Sequence, residues 1–191
     1  MLEIAVLGYC IYFLVSIYTS FMQISFVKEA KIKPAVILDS SKYGEAGDYA
    51  VETQRVSMAS TFYDFVLFFM WISFGLVALD NFTLAYSGWQ KAVIFIDLFI
   101  IINWILGLPF ELYTTFKLDK KYGFSNMTPS LYIKDTIKSG ILFLIFGSAV
   151  IAGLSEIISS FESWWIYGFV LIFAVILVIN MVYPLVRDKM F

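Results

Sequence analysis

The sequence predicts an all-α, polytopic membrane bundle of about five transmembrane helices, with the N-terminus outside and the C-terminus cytoplasmic. Three observations carry that prediction. The 191 residues are 61% hydrophobic and 15% charged, against about 45–50% and about 25% for an ordinary globular domain, and the mean hydropathy is +0.85. Five charge-poor runs are long enough to cross a bilayer. The basic residues fall on alternate connections between those runs.

The first run, residues 4–27, follows Glu3 and ends before Lys28. A hydrocarbon core about 30 Å thick needs about 20 helical residues, so this run crosses with some tilt. It lacks the basic start and the short apolar stretch of a signal peptide, and is read as a retained span. The second span, 60–79, contains Asp64 and ends before Asp80. From Asp48 to Gly75 there is neither Pro nor Gly, and Tyr49, Val56, Ala59 and Tyr63 recur at helical spacing. One helix from about 48 to 79 is therefore expected, nearly 50 Å long, with a packed cytoplasmic partner over its first half. The third span, 92–110, is interrupted by Asp97. The fourth is 139–155 and the fifth 163–186.

The connection 28–59 carries Lys28, Lys31, Lys33, Lys42 and Arg55, and the connection 111–138 carries Lys117, Lys120, Lys121, Lys134 and Lys138. With Arg187 and Lys189 in the tail, twelve of the thirteen cations sit on alternate connections. Only Lys91 lies on the other side, so the positive-inside rule makes 28–59 and 111–138 cytoplasmic. The whole of 1–191 reads as one membrane domain in an integral, multi-pass protein. Trp71, Trp89, Trp104, Trp164 and Trp165 read mostly as interfacial anchors.

Composition also excludes chemistry. There is no histidine and one cysteine, Cys10, so a Ser-His-Asp triad, an H-E-x-x-H zinc helix and a Cys-rich metal site are all out of reach. A net charge of −2 offers nothing to nucleic acid. Embedded carboxylates are functional candidates by default, but Asp97 follows Lys91 by six residues and is read as hydrated near the outer interface. Asn103 and Asn180 are expected to hydrogen-bond between helices. Gly140, Gly147 and Gly153 offer a weak signal for close helix approach.

The connection 111–138 is the informative one. Pro109 should kink or end span three, Gly123 with Ser125 and Asn126 marks a turn, and Thr128 with Pro129 reads as an N-cap and first helical residue. Tyr122 and Phe124 flank the turn beside three lysines, which suggests a loop ordered against protein or headgroups.

At this loop the sequence resembles a known family. Leu108-Pro109-Phe110, a nearby Glu111, Tyr113-x-x-Phe116, Tyr122-Gly123-Phe124-Ser125-Asn126-x-Thr128 and Asp135-x-x-Lys138 are similar to the N-terminal membrane domain of the CAAX prenyl protease type of integral-membrane zinc metallopeptidase. Asp48-Tyr49 with Arg55, and Tyr183-Pro184-Leu185, also look like that family, so the likeness runs over about 40–186. The family has Gly-Phe-Asn where this chain has Gly123-Phe124-Ser125-Asn126. The resemblance implies that Pro109, Glu111, Tyr113, Phe116, Tyr122, Gly123, Phe124, Asn126, Thr128, Asp135 and Lys138 serve structure and docking. It implies no catalytic or metal residue here, because the family's H-E-x-x-H and downstream glutamate follow the fifth span.

The chain is accordingly expected to be a fragment or one half of a split gene, inactive alone, with zinc in the missing catalytic part. Implied partners are the lipid bilayer, a catalytic zinc-protease domain in cis or split, and a peptide or membrane-protein substrate. The implied location is a bacterial inner membrane. Two other readings compete: a small transporter or channel subunit using Asp97 and Asn103, and a non-catalytic accessory protein binding a soluble partner through 28–60 and 111–138.

Overall fold

The computed structural model describes residues 2–33 and 39–190, with side chains to residue 181. Pro34 and the side chains of Tyr183, Pro184, Leu185, Arg187 and Lys189 lie outside what is described. Among the described residues there is no strand, and five helices are long and apolar enough to cross a membrane. In chain order these elements are α1 (Leu2–Ala30), α2 (Ser40–Met70), a π-helical stretch (Trp71–Gly75), α3 (Leu76–Phe82), α4 (Gly88–Tyr113), a second π-helical stretch (Thr114–Leu118), the short α5 (Asp119–Lys121), α6 (Pro129–Ser160) and α7 (Trp164–Met190). They form two compact units. One comprises residues 1–76 and 106–127; the other comprises 77–105 and 128–191.

The first unit is built on α1 against α2. Tyr9 stacks on Phe68 at 4.1 Å and Phe13 on Phe65 at 4.1 Å, an aromatic ladder from positions at helical spacing on both helices. Helix α2 starts at Ser40, earlier than the sequence pattern suggests, and passes through Gly44 and Gly47. Tertiary ties offset the cost of those glycines. Lys31 pairs with Asp48, the Tyr43 hydroxyl donates to the Ala30 carbonyl at 3.2 Å, and a Cβ on Gly47 would collide with the Lys31 stem. Just before the helix, Ser41 donates to the Asp39 carboxylate at 2.7 Å and holds that carboxyl below its ordinary range.

Trp71 is not an interfacial anchor, since only 7% of it is exposed. A Cβ on Gly75 would come within 2.5 Å of its ring. The indole therefore lies against the bare backbone of Gly75, where the wider π turn makes room. Trp89, Trp164 and Trp165 are exposed at the starts of α4 and α7.

In the second unit α6 and α7 approach where Gly153 meets Leu171, 3.2 Å from where a Cβ would be. Among the described residues, no atom of another helix comes within 4 Å of where a Cβ would stand at Gly140 or Gly147. Lys91 pairs with Asp80 at 2.7 Å, and fully buried Thr83 donates its hydroxyl to the Leu79 and Asp80 carbonyls. Asp97 corrects its sequence reading. Half-buried, it lies 2.7 Å from the Ser148 hydroxyl of α6, and its other oxygen is buried without a partner among the described residues. Asn180 differs as well, donating to the carbonyl of Ile176 one turn back on its own helix at 2.8 Å, and Asn103 donates its Nδ2 to the Phe99 carbonyl at 2.7 Å. A short amide side chain reaches its own helix more readily than a neighbour's.

Pro109 does not end span three. Helix α4 continues to Tyr113, and the π-helical stretch follows. Proline removes the bond to the carbonyl four residues back, that of Ile105, and the two compact units divide between Ile105 and Leu106.

Candidate functional site

The loop residues selected from sequence fall in both compact units. In the first unit, α5 ends in a tight C-terminal motif: Gly123 takes φ +75°, its N–H donates to Lys120 at 3.3 Å, and Phe124 N–H donates to Asp119 at 2.8 Å. That six-to-one and five-to-two pair is a Schellman cap, which needs a left-handed residue at the glycine. The turn throws Tyr122 and Phe124 onto Tyr49 of α2, with ring centroids 5.2 and 4.6 Å apart. The Tyr49 hydroxyl donates to Asp119 at 2.9 Å, and Lys121 pairs with Glu52 at 2.6 Å while lying 4.9 Å over the Tyr122 ring. Residues about seventy apart in sequence are thus clasped by two polar ties around three rings. Part of the expected cover for the first half of α2 comes from the chain's own connection.

Tyr113 lies under the Lys117 ammonium at 5.3 Å. Phe116 belongs to the π-helical stretch, Asn126 is exposed, and Glu111 is exposed at the end of α4. Thr128 caps α6 as its sequence implies, accepting from Leu131 N–H at 3.3 Å, with Pro129 in the first position. Thr128, Asp135 and Lys138 belong to the second unit; Asp135 is half-buried and Lys138 exposed on α6.

A feature the sequence reading missed lies in the first unit beside the clasp. A cavity of about 490 Å³ opens between α2 and the end of α4 with its π-helical extension. On α2 it is lined by Thr53, Ser57, Ser60, Thr61 and Asp64, steps of three and four residues that place them on one face. Opposite stand Glu111, Thr114 and Thr115, and Leu118, only 2% exposed, lies among the lining residues. Hydroxyls at 53, 57, 60 and 61 running into Asp64 were a signal available in the sequence. Tyr49, Glu52 and Asp119 carried no such signal, because their meaning depends on a partner in the distant connection.

The chain's donors do not fit zinc. It has no histidine, its one cysteine lies in α1, and the described residues hold no group of three metal-ligating side chains.

A family model described as CAAX prenyl protease N-terminal, five membrane helices, matches residues 23–191. A CAAX prenyl protease 1 homolog of Oryza sativa subsp. japonica is 30% identical over 161 residues, covering 82% of this chain and 36% of the relative. A homolog of the same name in Dictyostelium discoideum is 34% identical over 88 residues, covering 46% of this chain and 21% of the relative. The crystal structure of S. mikatae Ste24p superposes with a TM-score of 0.85 at 21% identity, over 94% of this chain and 44% of that chain. The chain thus spans less than half the length of the relatives it matches.

Proposed function

The chain belongs to the CAAX prenyl protease N-terminal family, and on that premise we propose that it is the membrane scaffold of a zinc metalloendopeptidase rather than its catalytic part. Its helices would supply walls of the chamber in which a peptide or membrane-protein substrate is cut. The surface made by the Tyr49 clasp and the connection 111–138 would dock the catalytic domain, supplied in cis or as a separate chain. The observation that carries this reading is the family match over 23–191, together with a set of side chains that does not suit zinc. Zinc would belong to the catalytic part, where it polarises the scissile carbonyl and activates water.

Orientation is part of the proposal: N-terminus outside, and both basic connections cytoplasmic. Single cysteines placed at residues 45 and 162 in a Cys10→Ser background test it. The first should react only with a membrane-permeant maleimide in intact cells, and the second with an impermeant one. Both named relatives are eukaryotic, so they lend no support to a bacterial inner membrane. The reading requires only a membrane whose cytoplasmic face carries these connections.

The deciding experiment is a cleavage assay on a prenylated CAAX peptide. The 191-residue chain in membranes is expected to cut nothing, and cleavage should appear when a partner bearing H-E-x-x-H is supplied. Cleavage by the chain alone overturns the scaffold reading.

A further inference from the structure

We propose that the hydroxyl-lined groove of the first unit binds the basic side chains of an extended peptide. Three features lead there. Its volume of about 490 Å³ lies in the range of binding pockets, roughly 300–1,000 Å³, and is far larger than a single ion needs. Its charged lining is wholly acidic: the carboxylates of Asp64 and Glu111 are set among hydroxyls from both walls, which both donate and accept, and no Lys or Arg lines it among the described residues. Neither carboxylate has an ion pair among the described residues, and Asp64 receives only a long 3.5 Å contact from Ser60.

Both residues are exposed, and two carboxylates on one groove favour a cation that brings its own hydrogen-bond donors. Lys and Arg side chains do so, and peptide N–H groups suit the hydroxyls. The stripe from Thr53 to Asp64 rises about 16 Å along the helix, the reach of about five extended residues. That length favours a peptide over a compact amine. The inference rests on the chamber-wall reading only for where the peptide would come from; the groove's chemistry stands by itself.

The test uses the whole chain in phosphatidylcholine nanodiscs and a fluorescein-labelled Ser-Lys-Ser-Arg-Ser peptide followed by anisotropy. Saturable binding is expected. It should weaken about tenfold in the Asp64→Asn/Glu111→Gln variant, the loss of two partly solvated charge contacts, and be unchanged in Glu45→Gln/Glu162→Gln. Thr114→Val/Thr115→Val keeps both charges and should weaken binding less. If the double carboxylate variant does not stay monodisperse, the two single variants serve, each expected to weaken binding about threefold. Equal binding of a peptide carrying acetyl-lysine and citrulline, or full binding by the carboxylate variants, overturns the proposal. Displacement by spermidine at concentrations equal to the peptide also overturns it, since a free polyamine would then be the ligand. Peptide binding is read without catalysis, so its failure leaves the scaffold reading to the cleavage assay.

Discussion

The Tyr49 clasp of the first unit and the Asp97–Ser148 pair of the second do the same job by different means. Each joins segments about fifty to seventy residues apart. The clasp lies on segments the charge pattern assigns to water, where its ion pair is heavily solvated: the Lys121 and Glu52 side chains are 56% and 34% exposed. Its cohesion should therefore come from the rings of Tyr49, Tyr122 and Phe124. The Asp97–Ser148 contact joins two apolar spans, with one carboxylate oxygen buried. There the polar contact itself should carry the tie, because breaking it would leave both carboxylate oxygens without a partner in hydrocarbon.

The largest expected effect breaks the clasp. Tyr49→Ala removes two ring pairs, each worth about 0.5–1.5 kcal/mol, and should lower stability by about 2–3 kcal/mol with the lost area included. Tyr49→Phe deletes only the hydroxyl to Asp119 and should cost about 1 kcal/mol. Reversible unfolding in mixed micelles, with proteolysis of the 119–127 turn as a local reporter, measures both. If the two substitutions cost the same, the hydroxyl and not the rings holds the clasp.

Gly123→Ala tests the same region through the backbone. At φ +75° an added Cβ costs about 1–2 kcal/mol, so the turn should become protease-sensitive while α1 and α2 stay packed.

Much of this was legible in the sequence. The five helices, the turn at Gly123 and the Thr128–Pro129 cap depend on local residue chemistry and uninterrupted apolar runs. What was missed depends on partners. Helix α2 reaches back to Ser40 because α1 supplies Lys31 and Ala30, which no propensity for Gly44 or Gly47 reveals. Trp71 resembles its exposed counterparts until Gly75, one turn on, makes a seat for it. Pro109 is tolerated because the helix continues beyond it into a π-helical stretch. The groove could have been seen as a hydroxyl stripe on α2, but its second wall comes from beyond Phe110. Asp97 looked solvated because its partner, Ser148, is an unremarkable serine in an apolar run.

Asp97 supplies the contrasting prediction for the second unit. Interhelical hydrogen bonds in membranes average about 0.6 kcal/mol and reach about 1.7 kcal/mol, so Asp97→Ala should cost about 1 kcal/mol. Ser148→Ala should cost a similar amount, and the double variant little more than either. That non-additivity, read in a double-mutant cycle, is the mark of a shared contact. Strict additivity would mean that the two residues act separately and that α4 and α6 are held by packing alone.

The smallest expected effect on stability sharpens the comparison most. Lys121→Gln removes an exposed partner of Glu52 and should leave the unfolding midpoint unchanged at physiological salt, because exposed ion pairs lose most of their attraction to solvent and screening. The ring of Tyr122 would keep its place against Tyr49 without the ammonium above it. Loss of charge should appear elsewhere. Replacing Lys117, Lys120 and Lys121 together by Gln removes three of the five cations on that connection, weakening the charge bias on which the proposed orientation rests. A fraction of molecules should then expose a cysteine at residue 126 to impermeant maleimide, while correctly inserted molecules unfold at the original midpoint. A large fall in that midpoint with uniform topology would reverse the assignment, making these lysines structural members of the clasp rather than determinants of orientation.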